Sequence, residues 1–483
     1  MSPLPSDPHM AWPPSGAVPS AVSTWRAWYA GNPAQLAAEA APPAENRYAR
    51  AFFFWRRQRQ PTSVRQPPPL HVPLAAEIAQ TSADLLFGEM PDLQVSKPVS
   101  DRLDELVSET GVANTLLEAA EVCAAISGVY LRVSWDKAVS DMPFLTTIPA
   151  DRAVPEFASG RLQAVTFWRE LPGESRSVWR HLERQEPGYI THGLYYGDKT
   201  TLGDKMPLAA HPQTADLEEV IEIPKEIPGG MLAWYVPNMR PMHDAPGSPH
   251  GRADIAGAES LLDALDEAWS SWARDVRLGK ARIILPHDAL DPANRDRGAG
   301  RYFDPDREIF TELDGMNPNE MNILASQPAI RAPEHEQTVM DLIERIVSKC
   351  GYSPQTFGLR IEGRAESGTA LRLREAKTYQ TIDRKRRYWA PALKSALAAM
   401  LAVDRVVFGR PTVIETPVIV WPEPHATAME IAQTLTMLRT AEAVSVETAV
   451  RMAQPDLDEE GVAEEVERIR ADSGRGPVPE PEF

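Results

Sequence analysis

The sequence predicts an α+β protein, predominantly helical, in which a mixed body of short strands and helices is joined to much longer helices. Three observations carry this prediction. Apolar residues recur at three- and four-residue steps over several stretches, two of them long; short β-branched and aromatic runs cluster between residues 129 and 236; and Pro and Gly punctuate the chain between these patterns. A length of 483 residues with 43% hydrophobic content is enough for two to four domains and a substantial core.

The chain opens with MSPLPSDPHMAWPPSGAVP, which six prolines break up and which lacks a basic start followed by an apolar block, so it does not read as a signal peptide. Residues 1–45, rich in Pro and Ala with Trp12, Trp25 and Trp28, are expected to form a flexible arm with one short helix at most. RYARAFFFWRRQRQ then mixes aromatics with Arg. It fits a nucleic-acid or membrane-surface patch, and equally a helix docked by its aromatic side.

Helices are expected over Val72 to Phe87, Asp101 to Val107 and Val112 to Ala125, after which Gly128 resets the period. VYLRVSW (129–135), LQAVTFW (162–168), SVWRHLE (177–183), YITHGLYY (189–196) and MLAWYV (231–236) read as strands. Turn signals every eight to twenty residues suit antiparallel pairing.

A long helix follows in ADIAGAESLLDALDEAWSSWARDVRL, where Ile255, Ala258, Leu262, Leu265, Trp269, Trp272 and Val276 alternate steps of three and four. Such a seam needs a second helix against it. The natural partner carries Val339, Leu342, Ile343, Ile346, Val347 and Cys350, begins at Pro333 and ends at Gly351. Between the two lies a punctuated insert, 280–330, with strand-like ARIIL and REIFTEL and an exposed loop DPANRDRGAGR. Two helices that leave a body, carry strands at their far end and return make a stalk with a knob.

YSPQTFGLRIEGRAE holds Pro354, Gly358 and Gly363, too many breakers for a regular element, and reads as an exposed functional loop. The next helix, capped by Ser367 or Thr369, runs past Leu401 with Pro391 inside it, a length of roughly 50 Å. Arg372, Arg374, Lys377, Arg384, Lys385, Arg386 and Arg387 make it basic within an acidic protein. Two readings are open: a solvated or ion-paired face, and DNA contact. TVIETPVIVWPEP (412–424) is expected to be a strand, His425 to Gly461 helical, and 473–483 a frayed tail.

A net charge of −18 and a pI near 5.1 argue against broad, tight gripping of nucleic acid, which relies on Lys and Arg at phosphates, but allow a surface that DNA slides past. No apolar run reaches the length of a membrane span. Cys123 and Cys350 sit in apolar helical patterns and read as buried free thiols rather than a disulfide framework or metal cluster. GxxxxGK[ST], HExxH, GxSxG and paired CxxC are absent, and His335 between Glu334 and Glu336 reads as a solvated helix start, because adjacent helix residues point apart. No catalytic, cofactor or metal residue is therefore assigned, and no enzyme activity is expected.

The element order, together with SSWARDVRLGKARIILP, SGTALRLREAKTYQTIDRKRRYWAPAL, ISGVYLRVSWD, PADRAVPEF and VWRHLERQEPGYITHGLY, resembles the portal protein of tailed double-stranded DNA bacteriophages with long non-contractile tails. The resemblance spans roughly residues 46 to 470. It implies a wing (46–250, with a further strand at 404–424), a stem (251–279 and 331–351), a clip (280–330), a tunnel loop (352–366), a wing-spanning helix (367–403) and a helical crown (425–472), flanked by the arm and the tail. It further implies a homo-oligomeric ring of about twelve subunits at one capsid vertex of the virion, assembled in the host cytoplasm. Double-stranded DNA would be packaged and ejected through that ring. The implied partners are the terminase packaging motor, a head–tail adaptor, and the major capsid and scaffolding proteins, with no membrane. Twelve copies at −18 would carry about −216, a repulsive lumen for the duplex. A channel-free scaffold or adaptor of the virion is the alternative, and a DNA-processing enzyme a further one.

The implied site residues are Arg360, Glu362 and Arg364 in the tunnel loop, Arg295, Arg297 and Arg301 on the clip, and Leu265, Trp269, Trp272, Val339, Ile343 and Ile346 in stem packing. The loop arginines either meet passing phosphates or pair with carboxylates of the next subunit. Arg360→Ala combined with Arg364→Ala is expected to leave ring assembly intact and alter DNA packaging or retention in the first case, and to loosen the ring in the second; normal assembly with normal packaging removes both roles.

Overall fold

The computed structural model describes residues 4–33, 35–36, 70–173, 177–279, 282–284, 324–326, 330–359, 368–422, 428–441, 443–454, 457 and 459–473. Two compact units divide the chain, the first of residues 1–89, 94–361 and 375–418, the second of 90–93, 362–374 and 419–483.

In the first unit α1 (Ala17–Ala30), α2 (Leu74–Phe87), α3 (Lys97–Glu109) and α4 (Val112–Ile126) pack as a helical layer, with α4 against both α1 and α2. Alanine-rich α4 buries Leu116, Ala119, Ala120 and Cys123, and side chains this small let neighbouring helices approach closely. Antiparallel strands then divide into a three-stranded sheet, in the order β10 (Ala233–Pro237), β2 (Gly128–Ser134), β3 (Phe144–Pro149), and a larger sheet. The larger one runs β4 (Ala153–Ala158), β5 (Arg161–Leu171), β6 (Val178–Glu186), β7 (Tyr189–Gly197), β8 (Asp204–Met206), with β9 (Val220–Glu222) also on β7; the two-stranded pairing of β1 (Asp92–Gln94) is described with its partner below. Tyr130, Val165, Phe167, Met231 and Ala233 form the core between the sheets.

A pair of helices continues from this body, α5 (Glu259–Leu278) and α6 (Ala332–Cys350), packed antiparallel. Asp275, near the end of α5, meets His335 at 2.9 Å and Arg331 at 3.1 Å at the start of α6. Their far ends converge where a side chain on Gly279 would meet Ile330 Cγ1 at 2.5 Å and would have to displace it. Short strands β11 (Arg282–Ile284) and β12 (Leu324–Ser326) pair there. α7 (Gly368–Val406) then runs for 39 residues with Pro391 inside it, and β13 (Val418–Val420) pairs with β1.

In the second unit α8 (Ala428–Thr440), α9 (Val446–Ala453) and α10 (Glu459–Ser473) follow one another. Ser445 Oγ caps α9 by accepting the Thr448 N–H at 3.1 Å, and Val450, Val462 and Val466 make a small core.

Several expectations need correction. The arm 1–45 is not flexible over its described residues: Trp12, Trp25 and Trp28 are each no more than 5% exposed, because burying large aromatics outweighs the proline-rich composition. The helix expected from 251 begins at Glu259, since residues before it turn to bring Asp254 into the interior. The strand expected over 404–424 shrinks to Val418–Val420. Side chains there are used differently, with Thr412 Oγ1 donating to Asp404 at 2.6 Å and Glu415 accepting the Ser96 N–H at 3.1 Å ahead of α3. The helical stretch expected from His425 to Gly461 carries α8, α9 and the start of α10, and strands β3 and β4 were not expected. RYARAFFFWRRQRQ, REIFTEL and residues 474–483 lie outside the described residues.

Across β6 and β7 His181 Nε2 donates to His192 Nδ1 at 3.1 Å, a tautomer fixed by Arg169 Nε donating to His181 Nδ1 at 3.3 Å. The rings stack at 5.2 Å, and Arg132 pairs with Glu183 beside them at 2.7 Å. Burial, then the neighbouring His192 and Arg169, holds His181 down at about 4; burial also lowers His192. Unfolding therefore takes up protons in acid, so stability that is full above about pH 6.5 is lost as pH falls toward about 4. The double variant His181→Gln with His192→Gln should show a shallower loss of urea midpoint over that window than the wild type; identical slopes would discard the pair as the cause.

Candidate functional site

α7 buries Thr378, Ile382, Lys385, Trp389, Ala392 and Ala396, steps of four and three that make one column on a helix surface. Lys385 stands in that column with no exposed surface, and a lysine there must be paired. Its Nζ donates to Asp254 Oδ2 at 2.6 Å and to Ser82 Oγ of α2 at 2.6 Å, and lies 5.7 Å from the centre of the Tyr352 ring. Asp254 Oδ2 also accepts the Tyr352 hydroxyl at 2.7 Å, while Oδ1 accepts Asn238 Nδ2 at 2.7 Å. The Asp254 N–H reaches the Ala124 carbonyl of α4 at 2.9 Å.

One buried ion pair thus joins the segment before α5, Tyr352 just beyond α6, α7, α2 and the end of α4. Burial, with the Asp254 carboxylate next, pushes the Tyr352 phenol well above its ordinary range, so it remains a donor. Burial likewise raises the Cys123 and Cys350 thiols, which stay protonated and free.

The start of the loop after α6 is strapped to α7. The Ser353 N–H donates to Thr378 Oγ1 at 2.8 Å, Thr381 Oγ1 donates to the Gly351 carbonyl at 2.7 Å, and Thr356 and Thr378 hydroxyls lie 3.0 Å apart. The Lys377 ammonium donates to the Ser348 carbonyl. A single turn, Pro354–Phe357, follows and its Phe357 ring meets Tyr352 edge-on.

Farther along α7, Asp404 is also without exposed surface. Arg102 of α3 holds it through two bonds of 3.0 and 2.7 Å, and Thr412 Oγ1 donates at 2.6 Å.

Of the residues singled out from sequence, Arg360, Glu362 and Arg364, and Arg295, Arg297 and Arg301, lie outside the described residues. Leu265, Val339 and Ile346 are buried; Ile343 and Trp272 are half-buried. Trp269 departs from the seam: it is 39% exposed and rests edge-on against Trp272 at 5.3 Å. Trp272 takes the place beside α6, stacking parallel on His335 at 6.2 Å, and one helix covers only one such column. His335 is accordingly half-buried and paired with Asp275, not a solvated helix start. Among the described residues no three His, Cys, Asp or Glu side chains gather as a metal site, and no helix is long and apolar enough to cross a membrane.

Sequence reasoning named Lys385 among the basic residues of this helix, with ion pairing as one reading, but missed its burial and its partners Asp254, Tyr352, Ser82 and Asn238. The available signal was Lys385 falling on the apolar column of α7; Asp254 and Asn238 carry none, since their role comes from distant segments.

No family model matches this chain, and no curated protein matches it. Solved structures align over most of its length. A chain from the virion of a native gene transfer agent particle is 14% identical with a TM-score of 0.43, covering 91% of this chain and 94% of that one. A chain from the neck of an empty such particle, computed with C6 symmetry, is 13% identical with a TM-score of 0.43 over 79% of this chain and 90% of that one. One from the neck of a native particle, computed with C12 symmetry, is 13% identical with a TM-score of 0.45 over 90% and 93%. Identities and scores this low give the likeness no weight for function.

Removing one partner of a buried pair strands the other charge, at a cost of about 3–5 kcal/mol. Lys385→Met and Asp254→Asn should each destabilise the protein on that scale in chemical denaturation. The double variant should lose clearly less than the two single losses together, since one change removes the reason for the other. Strict additivity would mean the two groups do not interact.

Proposed function

We propose that this chain is a portal subunit, whose copies close into a ring at one capsid vertex through which double-stranded DNA passes during packaging and ejection. In this reading the helix pair α5 and α6 is the stem, the insert 280–330 is the clip that meets the packaging motor and later the adaptor, and residues 352–366 are the tunnel loop. The chain acts as a conduit and docking platform, without catalysis of its own.

The observation that carries the reading is the order of the described elements. An antiparallel helix pair bears a strand pair at its far end, returns to the body, and passes through a strapped loop into a 39-residue helix. The motifs quoted above follow the same order. Net charge supports it in a second way: a wall with −18 per copy repels phosphates and leaves a passing duplex mobile. The strapped loop root fits a segment that must keep its position while its tip meets a moving ligand.

Electron microscopy of the purified full-length protein tests this directly. Rotationally symmetric rings with an axial hole wide enough for duplex DNA, about 20 Å or more, are expected, since copies of one chain close by rotation. Particles without a hole would overturn the channel reading in favour of a scaffold or adaptor.

A further inference from the structure

Residues 4–12 lie across the larger sheet as a bound peptide would. Leu4 and Trp12 sit in one apolar cluster with Trp168 of β5, Leu182 of β6, Tyr195 of β7 and Leu202. Main-chain bonds run along the segment: the Trp12 N–H to the Thr200 carbonyl at 2.9 Å, the Leu202 N–H to Met10 at 2.9 Å and the Gly203 N–H to Pro8 at 3.0 Å. The Tyr195 hydroxyl donates to the Pro5 carbonyl at 2.8 Å. Backbone pairing combined with side-chain pockets is how extended peptides are recognised on sheets.

The sheet is shaped for this ligand. Gly193 lies inside β7 opposite Leu182, and a side chain there would meet Leu4 Cδ1 at 2.6 Å. Glycine inside a strand weakens it, and it commonly marks a place where another chain segment comes close. Trp12 lies edge-on to Trp168 at 6.2 Å, and the Arg152 guanidinium covers that indole at 4.4 Å.

The segment continues into α1, which is fastened by polar contacts as well. Trp25 Nε1 donates to Glu259 Oε1 at 2.8 Å, the Tyr29 hydroxyl donates to Glu121 at 2.7 Å, and Arg26 pairs with Asp151. Directly after α1, Gly31 lies against His71, and the Trp28 and His71 rings are 5.8 Å apart. The stretch 32–70 therefore starts and ends at one place, although extended it could reach roughly 130 Å. A few residues would close that gap in one chain, and a linker of this length is also long enough for residues 4–30 to reach the same groove on a neighbouring copy.

We propose that residues 4–30 are an exchangeable strap, and that in the assembled protein the groove over Gly193 holds the strap of a neighbouring copy. All the contacts above are kept, with only the source chain changed, which is why exchange of an identical element costs little. The neighbour comes from the assembly reading; the groove and its fit do not depend on it.

The test is the double variant Leu4→Cys with Gly193→Cys in the full-length assembled protein, oxidised with copper phenanthroline and run on a non-reducing denaturing gel. The native thiols are buried and do not compete. Exchange predicts a shift of the band from single chains to linked chains of two and more. Cross-linking confined within single chains overturns the proposal, and does so even where rings with a hole are seen, so the two readings fail separately. Absence of any disulfide at these positions also overturns it, because the groove would then not hold Leu4. If the double variant does not fold, benzoylphenylalanine placed at Leu4 in assemblies mixed from light and heavy isotope chains decides the same question. Light–heavy links from this segment to β7 support exchange, and links within one isotope alone refute it.

Discussion

A lysine and an aspartate with almost no surface exposed hold the body in its arrangement. Taking both charges out of water costs several kcal/mol for each ion, and attraction between them repays that only when the remaining donors and acceptors are filled. Here they are: Ser82 and the face of Tyr352 complete the ammonium, while Tyr352 and Asn238 complete the carboxylate. Against a well-packed leucine such a pair gains little net stability. What distinguishes it is that an ammonium accepts one partner position, whereas an apolar side chain packs against many, so the pair selects a single docking of α7, α2 and the root of the helix pair.

α7 carries a second buried charge of opposite sign, Asp404, held by Arg102 and Thr412. Nineteen residues separate it from Lys385, about 28 Å along a helix and about 100° around it. Two fixed points at different heights and on different sides define both the rotation and the axial position of a rod. A 39-residue helix would otherwise slide or roll along alanine-rich neighbours at small cost. The threonines at 378 and 381 then use that fixed rod to hold the start of the loop after α6.

Much of the architecture was legible in the sequence because it depends on periodicity. The α5 and α6 stripes, the breakers that end them, the alternating runs of β5 to β7 and the length of α7 are all local signals. The failures share a different cause. Trp12, Trp25 and Trp28 look like scattered residues in a proline-rich arm, and their partners are remote in sequence: Trp12 packs on a sheet more than 150 residues away, Trp25 donates to Glu259 and Trp28 meets the His71 ring. Thr412 and Glu415 have a strand-like context but are taken by side-chain bonds to Asp404 and Ser96. Trp269 has the right spacing for the seam, yet spacing fixes a side of the helix and not what stands opposite. The buried pair was half visible: Lys385 is out of place in an apolar column, while nothing near Asp254 announces its partner.

The close meeting of Gly279 and Ile330 gives the insert between them a particular evolutionary freedom. A segment whose two ends are neighbours exerts little leverage on the helices that carry it, whatever its length or composition. Loop-closure entropy grows only slowly with length, so residues can be gained or lost there for well under a kcal/mol each. The same helix pair could thus present quite different tips to different partners, and related chains should diverge fastest between these two positions while keeping the small residue at the neck.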